Sequence, residues 1–233
     1  MKQLPYRTIW VEYPDIEALY RVMGIESTEV SKEGTPLYCL PVIYDPRTDR
    51  IICDSIRIAR YLDETYPSSS PLFPVGMGDW QALFVATWIQ KVSDPLHIIT
   101  SQYAAAQLPL RSAEYYRSVR GKRYGKPLDQ IAPPGSEDRR IVWAKVRLAM
   151  KQCDPGSITT TFAYVCVASY LIWFKRLLGV ESMEWQELMS AENGRWRNIV
   201  ENMGLYEKVD AEGLIEPIWQ PPVYTGIEFS KRT

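Results

Sequence analysis

Histidine is nearly absent from this 233-residue chain: His97 stands alone. The four cysteines, Cys39, Cys53, Cys153 and Cys166, show no paired spacing. Together these scarcities argue against a zinc site, which draws its ligands from closely spaced Cys and His. A serine–histidine–acid triad would have to use His97, and nothing beside it in sequence supports one. The cysteines read as reduced, mostly buried thiols of a cytosolic protein. Charge of either sign is not in excess, the net value being −1, so no general field favours nucleic acid or an anionic membrane. The longest apolar stretch, Phe162 to Phe174, falls short of the roughly 20 residues that span a bilayer. No leader pattern is visible at Met1-Lys2-Gln3-Leu4-Pro5. Neither internal repeats nor low-complexity segments occur.

What is present is an ordinary globular composition, 46% hydrophobic and 24% charged. The basic run Arg117 to Lys126 has no reading motif for nucleic acid and fits a solvated helix end and loop. Tyr6 to Tyr13 alternates as a strand, and Asp15 to Met23 reads as a short helix closed by Gly24. Residues 38–43 and 51–53 are strand-prone and flank the turn chemistry of Asp45-Pro46-Arg47-Thr48-Asp49. Pro41 cannot donate to a ladder, so it belongs at a strand start or edge. A cis bond there would expose the backbone of Leu40 to a ligand; a plain trans-proline is the alternative.

Asp54 or Ser55 caps a helix that runs to about Tyr66 and stops at Pro67. Ile58, Ala59, Leu62 and Tyr66 share one face of it. The free N–H groups of that helix start favour a carboxylate, to which Ser55 can add a hydroxyl, while Asp54 can receive an ammonium. The pair therefore suits an amino-acid head group, and equally suits plain capping.

Farther on, Pro67 to Pro74 is punctuated by proline and serine and marks a linker. Asp79 to about Gln107 is expected to be helical, as are Ser112 to Tyr124, Gly135 to Gln152, Glu184 to Met189 and Arg195 to Met203. Phe162 to Phe174 reads as a buried helix ended by Lys175-Arg176 and Gly179. The organisation is then 1–66, linker 67–78, helical 79–210, and an irregular proline-bearing tail 211–233.

Leu40-Pro41-Val42-Ile43, Asp54-Ser55 and Ile58-Ala59-Arg60-Tyr61-Leu62-Asp63-Glu64-Thr65-Tyr66-Pro67 resemble the N-terminal domain of glutathione transferases. The closest likeness is to a fungal branch that is similar also to bacterial β-etherases. Residues 6–16, Gly194-Arg195-Trp196 and Ala168 to Phe174 carry the resemblance through the rest of the chain. It implies an α+β fold, a thioredoxin-like domain followed by an all-helical domain. It implies glutathione as co-substrate, no metal, a small hydrophobic electrophile as second substrate, a cytoplasmic role in detoxification, and allows a homodimer. By motif, Pro41 would be the cis-proline, Leu40 would pair through its backbone with the cysteinyl part of glutathione, and Asp54 and Ser55 would hold its γ-glutamyl end.

Two departures follow from the same comparison. The family opens with a strand, a loop carrying Ser, Cys or Tyr, and a helix, a stretch of about 25 residues. Only Met1 to Gln3 precede Leu4-Pro5-Tyr6-Arg7, so the expectation is a truncated thioredoxin-like domain without its thiol-activating residue, through a misassigned start or a real loss. A protein of this fold that binds without conjugating is the alternative to an enzyme. Second, Tyr164 stands where the family's capping box before the central helix has Asp, which removes half of that box.

Overall fold

The computed structural model describes residues 2, 4–31, 34–67, 71–153 and 161–207. The expected irregular tail, 211–233, lies outside the described residues. The N-terminal part holds α1 (Ile16–Val22), entered through a 3-10 turn at Tyr13–Asp15, and two small antiparallel hairpins. The first hairpin pairs β1 (Glu29–Val30) with β2 (Pro36–Leu37); the second pairs β3 (Val42–Asp45) with β4 (Arg50–Cys53). Then come α2 (Ser55–Thr65), α3 (Gly78–Trp88), α4 (Asp94–Gln107), α5 (Leu110–Tyr124), α6 (Glu137–Gln152), α7 (Phe162–Leu178), α8 (Met183–Ser190) and α9 (Arg195–Met203). The fold is thus a thioredoxin-like N-terminal domain with small sheets, followed by a helical domain.

Helix α7 is the axis of the helical half. Val167, Ala168, Leu171 and Phe174 are fully buried, at the spacing of one helical face, against Trp88, Val92, Leu96, Val146 and Trp196. The Trp88 and Trp196 rings lie 5.5 Å apart. Each such large side chain removed from water contributes about 1.5–3 kcal/mol, so this cluster, and not the short sheets, carries most of the apolar stabilisation. The N-terminal core is smaller: Ile16, Tyr20 and Cys53, with Val11, Ile25, Tyr38 and Val42 packed on them.

Two differences from the sequence reading have physical causes. The alternating segment Tyr6–Tyr13 forms only an isolated bridge at Ile9, and Tyr6, Ile9 and Trp10 stay exposed. Period-two patterning makes a strand only when a partner supplies the ladder. The helix expected over Asp79–Gln107 is interrupted by a π-turn at Ile89–Ser93. Pro95 follows immediately, and a proline has no N–H to return to the preceding turn, so the ladder slips register there.

The two halves are tied at their ends. Arg111 on α5 grips both carboxylate oxygens of Asp15 at 2.5 Å, and the Tyr13 N–H donates to Ser112 Oγ at 3.0 Å. Beside the linker, the Phe162 N–H and the Gln81 side-chain amide both donate to the Leu72 carbonyl.

Candidate functional site

The register of the second hairpin places Val42 opposite Cys53 at its open end and Asp45 opposite Arg50 at its turn end. Leu40-Pro41 enters β3 and Asp54-Ser55 leaves β4, so the open end brings these four residues side by side. The Leu40–Pro41 peptide is cis, and Leu40 remains exposed. All four residues singled out in the sequence therefore meet at one edge of the N-terminal domain.

Asp54 is the helix cap. Its Oδ1 accepts from the N–H of Ile56 at 2.9 Å and of Arg57 at 3.3 Å, and its carbonyl accepts from Ile58 at 2.9 Å. The chain turns so sharply here that Asp54 adopts φ 76°, ψ 125°. Ser55 is the first residue of α2 and is exposed. The arrangement presents a helix N-terminus, a hydroxyl and a carboxylate together, which is chemistry for a group bearing both an anion and a cation.

Two thiols adjoin the site. Burial pushes the half-buried Cys39 thiol above the ordinary cysteine range, and the negative charges of Glu29 and Asp54 add to that. The Cys39 carbonyl accepts from the Tyr20 hydroxyl at 2.6 Å. Cys53, the last residue of β4, is buried in the core with Ile16 and Tyr20. The negative neighbours of Cys39 are the opposite of the electropositive setting that makes a cysteine reactive.

Sequence reasoning missed Tyr20, which pins the backbone one residue before Leu40, and it missed Asp45. Asp45 is buried at the turn end of the hairpin, where its Oδ2 accepts from the hydroxyls of both Tyr61 and Tyr66. An aspartate among turn residues, followed by Tyr61 on the next helix and Tyr66 just past its end, was the available signal.

Two cavities of about 260 and 240 Å³ lie in the helical half. The first is lined by Ile98, Tyr124, Ile131 and Ile141 among others, the second by Tyr103, Arg139, Trp143 and Glu184 among others. Neither involves the hairpin. Among the described residues there is no group of three or more His, Cys, Asp or Glu placed to hold a metal ion, and no helix long and apolar enough to cross a membrane.

Comparison with known proteins bears on this geometry. The model of the glutathione S-transferase N-terminal domain matches residues 1–65, and that of the glutathione S-transferase C-terminal domain matches residues 80–206. The glutathione S-transferase-like protein ustS of Aspergillus flavus is 29% identical over 221 residues, covering 84% of this chain and 76% of that protein. A glutathione S-transferase of Ceriporiopsis subvermispora, solved in complex with glutathione, superposes with a TM-score of 0.84 at 35% identity. The match covers 90% of this chain and 87% of that one. Glutathione transferase GSTFuA3 of Phanerochaete chrysosporium superposes with a TM-score of 0.80 at 36% identity, covering 90% of this chain and 86% of that one.

Proposed function

We propose that this chain, which belongs to the glutathione S-transferase family, binds glutathione at the open end of the β3–β4 hairpin and directs its thiol toward a small hydrophobic electrophile. The observation that carries the reading is the junction of Leu40-Pro41 with Asp54-Ser55. The Ser55 hydroxyl and the α2 N-terminus complement the γ-glutamyl carboxylate. The Asp54 Oδ2, on the side away from the capping bonds of Oδ1, complements the ammonium. The backbone of Leu40 complements the peptide of the cysteinyl residue. The similar Ceriporiopsis protein solved with glutathione supports this ligand.

In conjugation, the glutathione sulfur forms a bond to the electrophilic carbon as the leaving group departs with its electron pair. That step needs a thiolate, and the two thiols nearest the site argue that they do not supply its activation. Burial pushes the Cys39 thiol above the ordinary cysteine range, and the Cys53 side chain, at the end of β4, is buried in the core with Ile16 and Tyr20. This favours, as a second reading, a protein of the same fold that binds glutathione and a hydrophobic ligand without chemistry.

Calorimetric titration with glutathione, on the wild type and on Ser55→Ala, tests the binding reading. A hydrogen bond to a charged group contributes about 1.5–3 kcal/mol, so the substitution should weaken binding by about 10- to 100-fold. An unchanged Kd would overturn the assignment. Turnover of a halogenated aromatic electrophile by the same wild-type protein separates the enzyme from the non-catalytic binder.

A further inference from the structure

We propose that Asp45 is a positioning residue for the glutathione site, clamping the far end of α2 to the hairpin so that Ser55 and Leu40 keep their spacing. The inference rests on the reading of that site given above. It starts from an unusual concentration of bonds on one buried carboxylate. The hydroxyls of Tyr61 and Tyr66 both donate to Oδ2, and the Arg47 N–H donates to Oδ1 at 2.9 Å. The Thr48 hydroxyl meets that of Tyr61. The guanidinium of Arg47 lies over the Tyr66 ring and that of Arg50 over the Tyr61 ring. These tyrosine hydrogen bonds hold the Asp45 carboxyl below the usual carboxylate range, that from Tyr61 first.

The geometry makes the cluster a second fixing point. Helix α2 is joined to the hairpin covalently through Cys53-Asp54 at one end. Asp45 and Arg50 are the last pair at the other end, and Val42 and Cys53 the first. Three residues of strand separate the ends, about 10 Å, and six residues of helix separate Ser55 from Tyr61, about 9 Å. Between these points Ile58 and Ala59 of α2 are buried, Ala59 together with Ile56 packing with Leu72, Phe73 and Phe162 of the linker and α7. Apolar packing is non-directional and lets a helix pivot; hydrogen bonds to a fixed carboxylate do not. A swing of about 5° about the Cys53-Asp54 joint moves the Tyr61 end by about 0.8 Å over those 9 Å, and it turns the first N–H groups of α2, which share the same rigid rod, through the same angle relative to Leu40.

Asp63 provides the comparison. It sits on the same helix and is also largely buried, but it holds Lys2 and the Phe73 N–H at the linker side and does not touch the hairpin. The test measures glutathione Kd by calorimetry and unfolding by urea for the wild type, Asp45→Asn, Tyr66→Phe and Asp63→Asn. Amide chemical shifts of Ser55 and Ile56 are recorded without ligand.

The expected result is that Asp45→Asn weakens glutathione binding at least fivefold and moves the Ser55 and Ile56 amides. Tyr66→Phe, the milder change, should do the same to a smaller degree and stands in if Asp45→Asn does not fold. Asp63→Asn should lose stability yet keep Kd within twofold. The proposal is overturned if Tyr66→Phe and Asp45→Asn leave both Kd and the two amides at wild-type values, or if Asp63→Asn weakens binding as much as they do. A wild type that binds no glutathione would overturn the site itself, and is seen before any variant is compared.

Discussion

The side chain of Gln81 on α3 accepts the backbone N–H of Ala163 on α7 at 2.9 Å, and its amide donates back to Leu72 at 3.1 Å. Gln81 is fully buried. Around it the start of α7 is closed by neighbours: Phe162 donates to the Leu72 carbonyl, and Tyr164 to the Thr161 hydroxyl at 3.3 Å. Thr161 thus keeps its own half of the capping box, the free N–H groups of Phe162 and Ala163 find acceptors on Leu72 and Gln81, and the Tyr164 hydroxyl takes a bond from Asn202.

Gln81→Leu should therefore cost more than its polarity suggests. It leaves the Ala163 N–H without an acceptor in the core, while the Leu72 carbonyl keeps only Phe162, and an unsatisfied buried group costs about 1–3 kcal/mol. Urea unfolding should show a loss in that range or above it. A loss below about 0.5 kcal/mol would mean that α7 does not depend on this bridge.

Asp54 combines a cap with a positive φ, so its substitutions should separate two effects. Asp54→Gly loses the side-chain acceptor but relaxes the backbone; Asp54→Ala loses the acceptor and keeps the strain. A missing cap costs about 0.5–2 kcal/mol when Ala replaces it and only a few tenths with Gly, and a non-glycine residue in such a conformation costs about 1–3 kcal/mol. Asp54→Ala should thus be the less stable by at least 1 kcal/mol in chemical denaturation. Equal stabilities would remove the strain from this account. Both variants should bind glutathione more weakly than the wild type.

Much of this site was legible in the sequence because its signals are local. A turn rich in Asp and Pro between two apolar runs gives the hairpin, and Asp54-Ser55 ahead of an amphipathic helix gives the cap. The rest depends on partners distant along the chain. Asp45 reads as turn chemistry until Tyr61 and Tyr66 fold over it. Nothing beside Gln81 in the sequence marks it until Ala163 arrives from α7. The β1–β2 hairpin has two residues in each strand, too few for a period, and Ser27 fastens it through a hydroxyl bonded to both strands. Tyr6–Tyr13 shows the converse: the alternation is present, but the pairing that would make it a strand is not expressed beyond Ile9.

Lys2 and Asp63 form an ion pair at 2.6 Å with both side chains largely buried. Burial alone would raise the Asp63 carboxyl, but the hydrogen bonds from Lys2, Leu72 and Phe73 outweigh it and hold it below the ordinary range. A carboxyl depressed on folding adds stability above its unfolded value, about 3.9, and loses it as pH falls through the folded value. Asp63→Asn should therefore flatten the fall in stability below about pH 4 and lower stability at pH 7. Lys2→Met should be worse at pH 7, since it strands the carboxylate; removing one partner of a buried pair costs roughly 3–5 kcal/mol, less here because the Phe73 N–H remains. Urea midpoints at pH 7 and pH 3.5 read both effects. Parallel pH profiles for wild type and Asp63→Asn would show that the pair carries no linkage.

His97 gives a clean titration because it is the one histidine in the chain. It is packed against Trp173 with ring centroids 4.5 Å apart, and its Nδ1 lies 2.7 Å from the Ser93 carbonyl within the π-turn. Donation of an Nδ1–H to that carbonyl fixes the tautomer. Burial pushes its pKa below the ordinary histidine value, and the bond to Ser93 only partly opposes this. In the window between the folded value and about 6.5, the unfolded chain binds the proton and the folded chain does not. Stability therefore falls as pH drops below about 6.5 and stops falling from this source once the folded value is passed. The imidazole resonances in a proton NMR titration should turn over at a pH below the ordinary histidine value. His97→Gln should remove that segment of the stability profile between pH 6.5 and the folded value while costing some stability at pH 7.5, where the Ser93 carbonyl loses its donor. An imidazole that protonates at or above the ordinary value, or a profile unaltered in His97→Gln, would show that the π-turn does not hold this ring neutral.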